Sequence, residues 1–198
     1  WYMAGAVALC AAAFWWGSWA WVLLWPSFSL SLVAAAYWTG DPRWLGKRGG
    51  RMPVWMWPYA AGAWVNSRLW TRGQAPHNLV ADAVWIGRAP SGGERAKFAA
   101  VVDLTAELPL AADANVPMLD LTTPTCALLD EAVAAIDGVR ARGAVLVCCA
   151  LGYSRSALAV AAWLMASGKA GSAGAAVETV RAARPQVVLR EAAIARLK

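Results

Sequence analysis

The first 40 residues contain no charged side chain, and no other feature constrains the fold of this chain as strongly. About 20 apolar residues suffice to cross a bilayer, whereas the apolar core of a secretory signal peptide has only about 7–15. The run from Trp1 to Gly40 is therefore too long for a signal peptide. It suits one long span or a hairpin of two spans, and a long helix buried in a complex is the alternative.

The aromatic residues of this run favour the hairpin, because tryptophan and tyrosine concentrate at the two membrane interfaces. The middle group comprises Phe14, Trp15, Trp16, Trp19, Trp21 and Trp25, and the end group comprises Trp1, Tyr2, Tyr37 and Trp38. A turn between Gly17 and Pro26 puts the two groups at opposite interfaces. A single span would leave many tryptophans at the bilayer centre, so the sequence predicts a transmembrane helical hairpin over residues 1–40.

Residues 41–77 form a basic, tryptophan-rich segment that carries most of the net charge of +6. Its basic residues are Arg43, Lys47, Arg48, Arg51, Arg68 and Arg72, and its one acid is Asp41. Basic residues that flank a membrane segment favour the cytoplasmic side, so the excess predicts a membrane partner and not a nucleic acid. The stretch Met52 to Asn66 is interrupted by Pro53 and Pro58 and predicts an interfacial helix. A third span is the alternative, and it would move the rest of the chain to the other side.

Residues 78–198 have the length and pattern of one small α/β domain. Apolar strand-like runs at 84–86, 100–104, 116–121 and 144–148 alternate with helical patterns at 91–99, from Pro124 to Gly143, from Arg155 to Gly168, at 172–183 and from Arg190. This alternation predicts a mostly parallel central sheet flanked by helices. His77 is the only histidine and the four cysteines form no Cys-x2-Cys pair, so we expect neither a metal nor another cofactor.

Residues 148–156 read Cys-Cys-Ala-Leu-Gly-Tyr-Ser-Arg-Ser and lie between a predicted strand and a predicted helix. The amides of a tight loop at a helix N-terminus form a natural binding site for a phosphate. Arg155 can bind two oxygens of such a phosphate, and the same field stabilises Cys149 as a nucleophilic thiolate. The spacing therefore predicts phosphoryl transfer through a cysteinyl-phosphate intermediate.

This segment resembles the signature loop of the Cys-x5-Arg phosphatases, the superfamily of protein tyrosine and dual-specificity phosphatases. The resemblance rests on Cys149, Gly152, Arg155 and Ser156 in their strand–loop–helix setting, and it extends from about Val84 to Leu197. It implies a dual-specificity-phosphatase-like fold and hydrolysis of phosphomonoesters. The expected phosphate-binding loop is Ala150, Leu151, Gly152, Tyr153, Ser154 and Arg155, and Ser156 is expected to donate a hydrogen bond to the Cys149 sulfur.

Ester cleavage also needs an acid for the leaving oxygen, and Asp120 follows a predicted strand just before a helix. Similar phosphatases carry their general acid on a loop at about this distance before the nucleophile. The alternatives are that Asp120 merely caps the following helix, or that Asp113 is the acid. Asp103 is expected to stabilise a neighbouring loop through hydrogen bonds.

Two departures from the family pattern bear on the activity. Most similar proteins have histidine immediately before the nucleophile, where this chain has Cys148, and this keeps open a non-catalytic phosphate-binding membrane scaffold. The loop interior contains no lysine or arginine, which argues against highly anionic inositol lipids as substrates.

The resemblance extends to membrane-tethered bacterial phosphatases and to phosphatidylglycerophosphate phosphatases of this fold. It implies hydrolysis of a lipid phosphate such as phosphatidylglycerophosphate at the bacterial inner membrane, with the catalytic domain facing the cytoplasm. Phosphoproteins associated with the membrane are the alternative substrates.

Overall fold

The structure is a computed structural model that describes residues 1–197. Its helices are α1 (Tyr2–Trp16), α2 (Leu24–Thr39), α3 (Trp57–Trp70), α4 (Gly92–Arg95), α5 (Cys126–Arg140), α6 (Arg155–Ala166), α7 (Ala173–Ala183) and α8 (Glu191–Ile194). Its strands are β1 (His77–Ala81), β2 (Val84–Arg88), β3 (Ala100–Thr105), β4 (Ala114–Met118) and β5 (Val145–Cys149). Short 3-10 helices cover Ser18–Leu23, Pro42–Leu45 and Val54–Met56.

The five strands form one sheet in the order β1-β2-β5-β3-β4. The pairs β2–β5, β5–β3 and β3–β4 are parallel, and only the β1–β2 pair is antiparallel. The prediction of a mostly parallel sheet flanked by helices is therefore confirmed. Because parallel strands end at one edge, the segments that follow β3, β4 and β5 meet there, and this edge is where α/β folds bind ligands.

Several details differ from the sequence prediction. The predicted helices at 52–66 and 91–99 are observed as α3 (Trp57–Trp70) and α4 (Gly92–Arg95). Strand β1 was not predicted; Asp82 and Ala83 join it to β2 with positive φ angles, as a two-residue hairpin turn requires. Strand β4 ends at Met118 and not at 121, so Asp120 lies in the loop beyond the strand. Helix α5 begins at Cys126 and not at Pro124, because the Thr125 hydroxyl caps it by accepting a hydrogen bond from the Leu128 amide.

Different parts of the chain cover the two faces of the sheet. One face packs against α5, α6 and α7, and Trp163 of α6 is completely buried in this layer. On the other face, Val101 and Leu146 form a second apolar cluster with Phe98. Residues Ala63 and Trp64 of α3 pack against this cluster. The segment before the predicted catalytic domain thus supplies part of its core.

The two amino-terminal helices lie side by side and antiparallel. The Ser27 hydroxyl donates to the Ala6 carbonyl over 2.8 Å, and the rings of Tyr2 and Tyr37 stack with their centroids 5.4 Å apart. Within residues 1–197, one helical segment is long and apolar enough to cross a membrane, namely the 22 residues Ser18–Thr39; α1 is apolar but shorter. The transmembrane placement of the pair stays a prediction.

Residues 41–77 are joined to the predicted catalytic domain by a buried ion pair. The Lys47 ammonium contacts the Asp103 carboxylate at the end of β3, and these side chains are 3% and 0% exposed. Lys47 also donates to the backbone carbonyl of Thr105 over 2.6 Å and to its hydroxyl over 3.0 Å. Asp103 in turn accepts from the Thr105 amide over 2.8 Å. Its role in stabilising this loop is as the sequence predicts, but its lysine partner comes from the basic segment 41–77.

Candidate active site

The predicted phosphate loop connects the end of β5 to the first turn of α6. Cys149 is the last residue of the strand and Arg155 is the first of the helix. Gly152 lies between them with a φ of +75°, and a Cβ there would be 2.3 Å from the carbonyl carbon of Gly87. Only glycine fits both the angle and the space. Within residues 1–197, the amides of Ala150, Leu151, Tyr153 and Ser154 donate to no protein group, so they can bind an anion.

Cys149 is almost completely buried at the base of this loop, with an exposed fraction of 2%. Its sulfur accepts a hydrogen bond from the Gly152 amide over 3.2 Å and lies 3.3 Å from the Ser156 hydroxyl. Both groups, together with the positive end of the α6 dipole, favour a negative charge on sulfur. The structure thus brings Cys149 and Ser156 together as the sequence predicts.

Arg155 is held by a buried carboxylate that the sequence analysis did not single out. Its two terminal nitrogens donate to the two Glu107 oxygens over 2.8 and 2.7 Å, and one of them also donates to the Met118 carbonyl over 2.9 Å. Burial alone would raise the pKa of Glu107, but the Arg155 charge brings that pKa below its usual value. The pair fixes the plane of the guanidinium. Its Nε is buried without a hydrogen-bond partner in the described chain, and so can bind a substrate oxygen.

Asp120 lies across from the nucleophile in the loop after β4. Its Oδ1 is 3.3 Å from the Arg155 Nε, so the two groups form an ion pair. The Nε–H does not point at this oxygen, and no hydrogen bond forms between them. The Asp120 side chain is 35% exposed and lines the same cavity as Cys149. Helix capping does not explain this residue, because Thr125 caps α5.

Asp113, the alternative acid, is occupied elsewhere. Its carboxylate binds Arg95 over 2.6 Å and Arg142 over 3.1 Å, and it accepts from the Val101 amide near the start of β3. The active-site residues lie beyond the opposite ends of the strands. The structure therefore favours Asp120 as the carboxyl group available to a substrate.

Cys148, which stands where similar proteins have histidine, is completely buried. Successive strand residues point to opposite faces, and Cys148 packs in the apolar cluster of Val101 and Leu146 while Cys149 belongs to the other cluster. Burial raises the pKa of the Cys148 thiol well above its usual value. Both cysteines are free thiols, and the environment of Cys148 is that of a core residue.

Two further side chains hold the loop carbonyls, and the sequence analysis missed both. The buried Ser67 hydroxyl of α3 donates to the Ala150 carbonyl over 2.5 Å. The buried Arg184 donates from Nε to the Gly152 carbonyl over 2.9 Å. Carbonyls turned toward these donors leave the loop amides on the anion side. No local pattern marks Ser67 or Arg184, whereas Glu107 could have been found as an acid that follows a predicted strand.

Two cavities meet at the active site. One of about 180 Å³ contains Cys149, Arg155 and Asp120. The other, of about 400 Å³, is lined by residues of α1, α2 and α3 together with Asp120 and Leu151. Within residues 1–197, no cluster of three or more histidine, cysteine or acidic residues is arranged to hold a metal ion.

Comparison with known proteins places the site in a family. Residues 84–198 match the family described as dual specificity phosphatase, catalytic domain. Human DUSP28 is 28% identical, with a TM-score of 0.53 over 62% of this chain and 90% of that chain. Tk-PTP in its active form is 26% identical, with a TM-score of 0.52 over 62% of this chain and 93% of that chain.

PTPMT1, in its complex with PI(5)P, is 22% identical, with a TM-score of 0.52 over 63% of this chain and 93% of that chain, which supports the fold alone. No curated protein matches the chain in sequence. The matched family covers more than half of the chain and contains the Cys149–Arg155 loop. The chain therefore belongs to the dual specificity phosphatases, cysteine-dependent hydrolases of phosphoric monoesters.

Proposed function

We propose that this chain is a membrane-anchored phosphatase that hydrolyses the phosphomonoester of a lipid, such as phosphatidylglycerophosphate. One observation carries the proposal: the cavity beside Asp120 and Leu151 continues between the apolar helices α1, α2 and α3. A substrate whose phosphate lies at Cys149 would have its remaining part among these helices. An acyl chain buries apolar surface against such a helical wall, whereas a small polar metabolite has little apolar surface to bury there.

In the first step, the Cys149 thiolate attacks the phosphorus atom. The sulfur–phosphorus bond forms as the ester oxygen–phosphorus bond breaks, and Asp120 donates its proton to the leaving oxygen. The Arg155 Nε and the loop amides bind the phosphoryl oxygens, on which negative charge develops. The partner-free Nε and the free amides of Ala150 and Leu151 support this role.

In the second step, water attacks the cysteinyl-phosphate and Asp120, now a carboxylate, accepts the proton of that water. The sulfur–phosphorus bond breaks, its electrons return to Cys149 as a thiolate, and inorganic phosphate leaves. The Ser156 hydroxyl, 3.3 Å from the sulfur, stabilises this thiolate as a leaving group. Glu107 acts through Arg155 as a positioning residue.

The membrane anchor is the predicted hairpin of residues 1–40, with the basic segment 41–77 at the cytoplasmic surface. The apolar segment Ser18–Thr39 supports membrane association. Many tryptophans of both segments are exposed, among them Trp19 at 76%, Trp38 at 91% and Trp70 at 67%, which suits a membrane interface. By the positive-inside rule the catalytic domain faces the cytoplasm, and we propose the bacterial inner membrane as its location.

A membrane-associated phosphoprotein is the second candidate substrate. The match to the dual specificity phosphatase family favours it, because the Cys149–Arg155 loop of this family resembles that of the protein tyrosine phosphatases. The structure of PTPMT1 with PI(5)P favours the lipid, although that likeness extends to the fold alone.

A substrate panel tests the proposal. The full chain in detergent micelles is given phosphatidylglycerophosphate, phosphatidic acid, a phosphotyrosine peptide and an aryl phosphate, and phosphate release is measured. We expect kcat/KM to be higher for at least one lipid than for the peptide. Cys149→Ser should abolish turnover but still bind vanadate, whereas Cys148→Ser should remain active. Cleavage of the peptide without cleavage of either lipid would replace the lipid proposal with the phosphoprotein one.

A further inference from the structure

The cavity between the amino-terminal helices and the catalytic domain has the properties of a substrate subsite. Its volume of about 400 Å³ lies within the range of ligand sites, roughly 300–1,000 Å³. Asp120, Leu121 and Leu151 line both this cavity and the one that contains Cys149. A group attached to a phosphate at Cys149 can therefore extend directly into it.

The cavity changes from polar to apolar along helix α2. Tyr37 lines it together with Asp120 of the catalytic domain, whereas Pro26 and Leu30 line it further along the helix. At a rise of 1.5 Å per residue, Pro26 lies about 16 Å along the axis from Tyr37. Pro26 and Leu30 also belong to the segment Ser18–Thr39, which is apolar enough to cross a membrane. The apolar end of the cavity thus suits an acyl chain that comes from the bilayer.

The polar groups of the cavity are uncharged or negative. They are the phenols of Tyr2, Tyr37 and Tyr59, the amide of Asn66, and the carboxylates of Glu107 and Asp120. No lysine or arginine is among the described residues that line it. Phenols and an amide can donate to ester and hydroxyl oxygens. Glu107 and Asp120 are both paired with Arg155, whose remaining Nε is taken by the phosphate at Cys149. A second anionic group would therefore be desolvated with no free cation to bind it, which costs affinity.

We infer that this cavity binds the glycerol ester region and the upper acyl chain of the substrate. It selects a glycerolipid in which the phosphomonoester is the only charged group, as in phosphatidic acid. It disfavours lipids with a second phosphate, including phosphatidylglycerophosphate. This inference rests on the proposed lipid phosphatase function and narrows the substrate within that class, with phosphatidic acid replacing the phosphatidylglycerophosphate that served as the example there.

The test compares phosphatidic acid with phosphatidylglycerophosphate of the same acyl composition. Each lipid is presented in mixed micelles of lipid and detergent to the chain of residues 1–198. We expect kcat/KM for phosphatidic acid to be higher by about tenfold or more, because a desolvated anion without a cation partner is strongly disfavoured. Asn66→Lys puts a cation on the cavity wall and should raise the activity ratio of phosphatidylglycerophosphate to phosphatidic acid. Asn66→Gln should leave that ratio unchanged.

Ala61→Lys is the matched charge control. Ala61 is an exposed residue of the same helix and does not line the cavity, so a lysine there should leave the ratio unchanged. If phosphatidylglycerophosphate is cleaved as well as phosphatidic acid, and Asn66→Lys does not move the ratio, the inference is wrong while the lipid phosphatase function stands. If neither lipid is cleaved but the phosphotyrosine peptide is, both the proposed function and this inference are refuted.

Discussion

Replacing Lys47 by methionine tests whether the basic segment 41–77 folds as one unit with the phosphatase domain. Methionine keeps most of the length of the side chain but removes the ammonium, so the Asp103 carboxylate loses its cation and keeps its hydrogen bonds from Thr105. Because both side chains of the pair are buried, solvent screens this loss very little. Removing one partner of a buried pair costs about 3–5 kcal/mol. That is a large part of the roughly 5–15 kcal/mol that stabilises a typical domain.

The loss of stability caused by Lys47→Met should depend on pH, and its direction follows from the pKa of Asp103. Burial raises the pKa of Asp103, and Lys47 opposes that rise, so the substitution raises this pKa further. The folded variant then holds a proton at pH values where the unfolded chain, with a pKa near 3.8, has already released it. The stability of the variant therefore falls as pH rises through this window. Its loss of stability relative to the unsubstituted protein is larger at about pH 7.5 than at about pH 5.

Pulse proteolysis across a urea gradient, in detergent, measures the free energy of unfolding of the catalytic unit. Asp103→Asn in the Lys47→Met background removes the buried charge and should recover a large part of the loss. Arg48→Met removes the neighbouring exposed charge and should change stability by less than about 0.5 kcal/mol. A Lys47→Met protein as stable as the Arg48→Met control would refute the assignment of this ion pair to the core.

Three further substitutions test the site and its surroundings. Asp120→Asn should slow esters with poor leaving groups by about 10²–10⁴ and good aryl leaving groups much less, because only the former need an acid; equal losses in kcat would indicate a structural role. Ser67→Ala leaves the buried Ala150 carbonyl without its donor and should weaken vanadate binding by about tenfold, a typical 1–3 kcal/mol loss; unchanged inhibition would exclude Ser67 as a positioning residue. Burial lowers the pKa of His77 below 6.5, so stability should fall as the pH drops from about 7.5 to about 5.5, where only the unfolded chain takes up a proton. His77→Gln should flatten this profile, and an unflattened profile would assign the pH dependence to another group.

The fold of the catalytic domain was largely predictable because its elements are marked by local patterns. The strand–helix alternation from Val84 onward corresponds to the observed parallel sheet. Strand β1 was missed since its hairpin turn uses Asp82 and Ala83, and alanine is an unusual residue at a positive φ. The start of α5 was misplaced by two residues because Thr123-Pro124 and Thr125 carry competing start signals, and the Thr125 hydroxyl is the one that reaches an amide.

The candidate site likewise contains residues that local sequence patterns predict and residues that only the packing of distant segments brings together. Cys149, Gly152, Arg155 and Ser156 lie within eight consecutive residues, so their spacing alone predicts that they meet around one phosphate. Glu107 lies 48 residues from Arg155 in sequence, and Ser67 lies 83 residues from Ala150. Contacts over such separations depend on how strands and helices pack, and a single sequence contains no periodicity that reveals them.

The sequence by itself determined the chemistry of this protein, because the strand, loop and helix that create the phosphate site are contiguous and their geometry follows from local backbone preferences. It also determined that an uncharged segment precedes a basic one. Only the tertiary structure decided that these segments share a core and a cavity with the catalytic domain, through Lys47, Ala63 and Tyr37. Burying apolar surface and pairing buried charges are properties of the packed chain, so they appear only when distant residues come together.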